Sequence, residues 1–139
     1  MKTTVLLDTG PLVAYLDRRD QYHSWSLDRW SEVKPPFLTC EAVIAEACFL
    51  LRKFPDAKHA IMSLIRREIV TISFQLQEQI RRTDHLLGKY GDLPISLADA
   101  CLVQMSELHP NSTVMTLDSG FHVYRRHGRQ VIPTIMPNG

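Results

Sequence analysis

The chain has 139 residues, 45% of them hydrophobic and 22% charged, which is the balance of a globular protein large enough to build one core. No apolar run approaches the roughly 20 residues that span a bilayer, so membrane insertion as a helix is excluded. The formal net charge of +1 excludes a strongly basic or strongly acidic protein.

The N-terminus passes from Met-Lys-Thr-Thr straight into a strand pattern, without the apolar region and small-residue cleavage site of a signal peptide. Cys40, Cys48 and Cys101 all sit in apolar segments and form no Cys-x-x-Cys pair. They read as reduced core residues of a cytoplasmic protein.

Thr3–Leu7 is continuously apolar or β-branched rather than alternating, which suits a strand buried on both faces of a parallel sheet. It ends at Asp8. Thr9-Gly10-Pro11 makes the turn, and Pro11 opens a helix through Leu16. Asp8 alone reads equally well as a turn or helix-cap residue. Residues 17–20 form a charged break before an amphipathic helix over Gln21–Val33, which Pro35-Pro36 ends. His23 is structural, near the start of that helix. Phe37–Thr39 is a short strand, with Thr39 placed to cap the next helix.

Cys40–Phe54 reads as a strongly hydrophobic, largely buried helix. Glu46 lies in its middle, too deep to be a cap, and its neighbours three and four residues away are Ala42, Val43, Phe49 and Leu50. No local base can neutralise it. After Pro55 comes a helix over Asp56–Arg67, then a strand over Glu68–Phe74. A polar amphipathic helix spans Gln75–Tyr90, on which Arg81-Arg82 reads as a solvated face.

The loop Gly88–Pro94 carries Asp92, which reads as a turn residue. It leads into an apolar helix capped by Ser96. Asp99 stands in this helix among Leu97, Ala98, Ala100, Cys101, Leu102 and Val103, without a base three or four positions away. Ser96 and Asp99 also have the spacing of a capping box, although Glu or Gln is the usual partner. Ser112–Leu117 is a second strand that ends in a carboxylate, Asp118. A basic segment, His122–Arg129, precedes a last short strand over Gln130–Ile132. His122 and His127 lack the further ligands that a zinc site requires.

Two acids end apolar strands and two interrupt apolar helices. Strand–helix alternation predicts a three-layer α/β/α sandwich around a mainly parallel sheet, as a single domain over residues 1–139. Such a sheet brings its strand ends to one edge. Four carboxylates gathered there would repel one another unless a cation intervened, and oxygen-only ligands suit Mg²⁺ or Mn²⁺. One or two such ions can activate water and steady an in-line phosphoryl displacement, so the chemistry that follows is phosphodiester hydrolysis. Without these four acids, eleven acids face sixteen bases, a surplus that favours a polyanionic partner.

The order and spacing of Leu6-Leu-Asp8-Thr-Gly-Pro-Leu-Val-Ala-Tyr-Leu, Ala45-Glu46-Ala47, Leu97-Ala-Asp99-Ala and Thr116-Leu-Asp118-Ser-Gly-Phe121 resemble the PIN-domain family, in particular its VapC-like toxin ribonucleases. The resemblance covers essentially the whole chain. It implies a metal-dependent endoribonuclease with Asp8, Glu46, Asp99 and Asp118 as its acidic residues. Thr116 is similar to a hydroxyl residue beside that cluster, and Thr9 would support it. It further implies an RNA substrate, a homodimer, and a small antitoxin that occupies the active-site groove. Ser119 and Gly120 depart from the family pattern, which often has charged residues there. Two other readings compete. A phosphatase using Asp8 as nucleophile would want a second Asp two residues on, where this chain has Gly10. A PIN-like module that binds RNA or protein without cutting would have no need of buried anions.

Overall fold

The computed structural model describes residues 3–138. Five strands make one sheet: β1 (Thr4–Leu7), β2 (Phe37–Thr39), β3 (Val70–Ile72), β4 (Ser112–Met115) and β7 (Thr134–Ile135), in the spatial order β3-β2-β1-β4-β7. Every pairing in it is parallel. The intervening helices are α1 (Thr9–Leu16), α2 (His23–Ser31), α3 (Glu41–Leu50), α4 (Ala57–Arg66), α5 (Ile80–Lys89) and α6 (Leu97–Leu108). The chain steps from β1 through β2 to β3 in one direction, then returns through α5 and α6 to place β4 on the other side of β1. Right-handed crossovers therefore put α1–α4 on one face and α5–α6 on the other, which is the expected sandwich. The strand order reverses between β1 and β4. A crevice outside the carboxyl ends of those two strands is the position where such sheets bind ligands.

β1 is central and buried on both sides, with Leu6 and Leu7 fully covered. This is why it reads as an unbroken apolar run. α6 is buried from Ala98 through Ser106. Its polar members bond inside the core: the Gln104 amide nitrogen donates to Thr83 Oγ1, while its Oε1 is left without a partner, and the Ser106 hydroxyl donates to the Val103 carbonyl. Trp30 belongs to the core, stacked on Tyr15 with ring centroids 3.9 Å apart and tilted against Phe37.

Several boundaries differ from the sequence reading. α3 ends at Leu50 rather than Phe54, and it is not largely buried. Val43, Ile44 and Ala47 face the core, while Ala45, Glu46, Phe49 and Leu50 are exposed. Apolar residues all round this helix cover one buried stripe and one open face. Thr39 does not cap α3; its hydroxyl donates to the Leu7 carbonyl across the sheet, and Cys40 holds the cap position without a side-chain bond. The Gln75–Tyr90 helix begins as a 3₁₀ turn at Leu76–Gln79. The segment read as a last strand is instead part of a small antiparallel hairpin, β5 (Arg125–Arg126) with β6 (Gln130–Val131), and the fifth strand of the main sheet lies beyond Pro133. The hairpin turns through two left-handed residues, His127 (φ 51°) and Gly128 (φ 81°), the second of which suits glycine.

Candidate active site

Parallel register sets the first part of the site. Leu7 pairs with Met115, and the Asp8 amide donates to the Met115 carbonyl at 3.0 Å. One residue further along each strand, Asp8 and Thr116 stand side by side. The Thr116 hydroxyl donates to Asp8 Oδ2 at 2.6 Å, and the Thr9 amide donates to Asp8 Oδ1 at 2.7 Å. Thr116 Oγ1 in turn accepts from the Asp118 amide at 2.9 Å. One hydroxyl thus ties two of the four acids to the edge of the sheet. Asp118 closes its own turn by accepting from the Gly120 amide at 2.8 Å.

Asp99 arrives from the opposite layer. It occupies the third position of α6, and the capping box expected from its spacing is present. Its amide donates to Ser96 Oγ at 3.0 Å, and the Ser96 amide donates to Asp99 Oδ2 at 3.2 Å. The capping role and a place in the cleft coincide in this residue. Tyr124, which the sequence reading did not single out, donates its hydroxyl to the same Oδ2 at 3.2 Å.

Asp8, Thr9, Glu46, Asp99 and Asp118 line one cleft of about 380 Å³, together with Gly10, Leu50, Pro94, Ser96 and Leu117. No Lys, Arg or His lines it. The four acids are not equivalent. Asp8 and Asp99 are 5% and 7% exposed, whereas Glu46 and Asp118 are exposed. The expectation that Glu46 is a buried, stranded carboxylate is therefore corrected: it stands at the lip of the cleft, on the open face of α3. Thr116 is fully buried, and the hydroxyl of Thr9 is buried without a hydrogen-bond partner. Asp92 is exposed and does not line the cleft. A larger and more apolar cleft, of about 450 Å³, is bounded by Leu16, Leu51 and Phe54. Its charged residues are partly or fully exposed, and it gathers no buried acids.

The electrostatics mark Asp8 and Asp99 as costly. Burial pushes the Asp8 carboxyl from 3.8 up to about 7, against the lowering effect of its bonds from Thr116 and Thr9, and the nearby charges of Asp99 and Asp118 raise it further. Burial also raises Asp99, partly offset by the Ser96 amide, with Asp118 adding to the rise. Tyr124 is driven above the ordinary phenol value by burial and by the carboxylates around it. Among the described residues the ion pairs are Arg29–Glu32 and Arg82–Glu107, so neither buried acid meets a cation from the protein.

Among the described residues no three His, Cys, Asp or Glu side chains close in as a preformed ligand set. The donors nonetheless fit a hard divalent cation. They are all oxygens, two are buried carboxylates without a countercharge, and nothing cationic competes for the cleft.

The family model described as PIN domain matches residues 5–126. Ribonuclease VapC26 of Mycobacterium tuberculosis is 26% identical over 129 residues, covering 88% of this chain and 88% of its own. The crystal structure of VapC20 of the same organism, described as a toxin that cleaves the sarcin-ricin loop, is similar with a TM-score of 0.74. The match covers 94% of this chain and 100% of that one, at 17% identity. At that identity the structural likeness speaks for the fold.

Proposed function

The chain belongs to the PIN-domain family, and on that premise we propose that it is a divalent-metal-dependent endoribonuclease, the toxin of a type II toxin–antitoxin pair. The observation that carries the reading is the pair of buried, uncompensated carboxylates, Asp8 and Asp99, brought into one cleft at the switch point of a parallel sheet. A protein that only needed to fold would gain by replacing them, because a buried anion without a partner costs several kcal/mol. The ribonuclease VapC26 and the toxin VapC20 supply the class of substrate.

Asp8, Asp99 and Asp118 would hold Mg²⁺ or Mn²⁺, with Glu46 reaching in from the lip. Such an ion supplies Lewis acidity, which lowers the pKa of water and steadies the charge of phosphoryl displacement. The protein's own part is to fix the donors. Thr116 holds one oxygen of Asp8 and the backbone of Asp118, and the Thr9 amide holds the other oxygen of Asp8. Thr9 itself offers an unpartnered hydroxyl beside them. An RNA strand has open access through the exposed side of the cleft, between Glu46 and Asp118. The reading extends to a cytoplasmic homodimer acting as one domain and held in check by a small antitoxin. Among the described residues no helix is long and apolar enough to cross a membrane.

The test is cleavage of mixed cellular RNA by purified protein with Mg²⁺, with Mn²⁺ and with EDTA, beside an Asp8→Asn control. Cutting that requires a metal and vanishes in the control is the expected result. Cutting that persists in EDTA would overturn the metal site. Binding of RNA without cutting under any condition would make the chain a PIN-like binding module instead.

A further inference from the structure

Tyr124 lies outside the motifs that carry the family resemblance, and Gly120 is a departure within one of them, yet the two meet beside the site. We infer that Tyr124 is a positioning residue for Asp99, seated by Gly120; the inference rests on the reading of the acidic cleft as a metal site.

Three observations carry it. First, both hydrogen bonds from the protein to the Asp99 side chain fall on Oδ2, one from the Ser96 amide and one from the Tyr124 hydroxyl. With Oδ2 held from two directions, the carboxylate plane is fixed and Oδ1 is left for a ligand. The Ser96 bond alone would leave the group free to turn about its cap. Second, Tyr124 is itself immobilised. Its ring is 2% exposed and packs edge-on against both Tyr90 and Phe121, with centroids 5.2 Å away in each case. The Tyr90 hydroxyl accepts from the Arg125 amide, which anchors the backbone one residue beyond Tyr124. A hydroxyl on so rigid a ring delivers its proton to one place.

Third, the space for that hydroxyl depends on residue 120. A Cβ added at Gly120 would lie 2.9 Å from the Tyr124 hydroxyl oxygen, 3.0 Å from the ring carbon that bears it, and 3.1 Å from Asp118 Oδ1. The backbone at Gly120 is not left-handed, so the glycine is required by space and not by conformation. This supplies a reason for the departure seen after the last Asp. Where a side chain would otherwise stand, the chain has made room for a phenol that reaches Asp99 Oδ2.

The experiment is titration of the metal-free protein with Mn²⁺ by calorimetry, for wild type, Tyr124→Phe, Gly120→Ala and the double variant, with metal-free melting temperatures recorded alongside. Tyr124→Phe keeps the ring packing and removes one oxygen. The expected result is Mn²⁺ affinity about tenfold or more weaker, the range for loss of a group that orients a metal ligand, with the metal-free melting temperature nearly unchanged. Gly120→Ala is expected to weaken Mn²⁺ binding as well, and to weaken it less in the Tyr124→Phe background, where the nearest atom is gone. Wild-type affinity, within twofold, in a folded Tyr124→Phe protein would overturn the inference while leaving the metal site intact. If Tyr124→Phe fails to fold, wild-type Mn²⁺ affinity, within twofold, in a folded Gly120→Ala protein would overturn it equally. Absence of Mn²⁺ binding by the wild type would instead remove the reading on which it rests.

Discussion

Replacing Asp8 by Asn should make the metal-free protein more stable at pH 8, and the gain can be worked from the structure. The Asp8 carboxyl titrates at about 7 in the fold against 3.8 in its ordinary state. Between those values the folded protein keeps a proton that the unfolded chain gives up. The stability contributed by holding that proton is full below pH 3.8 and is lost as the pH rises toward 7. Above 7 the whole cost is present, about 4 kcal/mol for a rise of about three pH units. Asn carries no charge and removes that cost. It keeps an acceptor for the Thr9 amide but turns a donor toward Thr116, whose hydroxyl already accepts from Asp118. Rearranging that bond costs about 1–2 kcal/mol.

The net gain is then about 2–3 kcal/mol at pH 8. For 139 residues the entropy of unfolding is about 0.29 kcal/mol per degree, so the melting temperature should rise by about 7–10 °C. The assay is thermal unfolding followed by circular dichroism in EDTA, at pH 8 and at pH 5. At pH 5 wild-type Asp8 is largely protonated in the fold, and the advantage of Asn should nearly vanish. Mn²⁺ at 100 times its dissociation constant should stabilise the wild type by about 2.7 kcal/mol, or about 9 °C, and the variant hardly at all. A variant less stable than wild type in EDTA at pH 8, or equally favoured at both pH values, would refute the argument from buried charge.

Thr116→Val preserves shape but strands both Asp8 Oδ2 and the Asp118 amide; it should lower the melting temperature at pH 8 by about 3–7 °C, from about 1–2 kcal/mol of lost bonds, and weaken Mn²⁺ binding in the same titration. A rise in melting temperature would show that the hydroxyl is not needed there. Glu46→Gln acts at the lip and makes no ion pair, so unfolding free energy measured in urea should change by less than about 0.5 kcal/mol while RNA cleavage falls at least tenfold; full cleavage would remove Glu46 from the site. Arg82 makes two bonds to Glu107, whose Oε2 also accepts from the His127 amide. Arg82→Ala should cost about 1 kcal/mol, discounted because Arg82 is about one third exposed, and should speed amide exchange at His127. Unchanged exchange would show that the hairpin does not depend on that pair.

The parts of the site that were legible in the sequence are those where an acid violates a strong local pattern. Asp8 directly follows β1 and Asp118 comes three residues after β4, strands that are apolar because helices cover both faces of the sheet, and Asp99 interrupts a helix that really is buried. Glu46 broke a similar pattern for a different reason. The apolar residues around it, Phe49 at 61% and Leu50 at 52% exposure, form an open face beside the cleft rather than core. Residue type alone does not separate a cleft wall from an interior. The final strand escaped notice because two residues, Thr134 and Ile135, are too few to show a period. Tyr124 was out of reach for another reason: its contact with Asp99 spans 25 residues and joins the residue just before the hairpin to a helix, and no local spacing encodes it.

The bond from Thr116 to Asp8 joins residues 108 positions apart. During synthesis, β1 emerges first and has β2 for a neighbour early, but its other edge stays open until β4 is made. β4 in turn gains its second neighbour only when residues 134–135 appear. The acidic cleft therefore does not exist on the ribosome until nearly all of these residues have left it. A chain cut short before residue 112 lacks β4, and with it both Thr116 and Asp118. On the proposed reading, the topology acts as a built-in delay, in which cleavage begins only after β4 and residues 134–135 have joined the sheet.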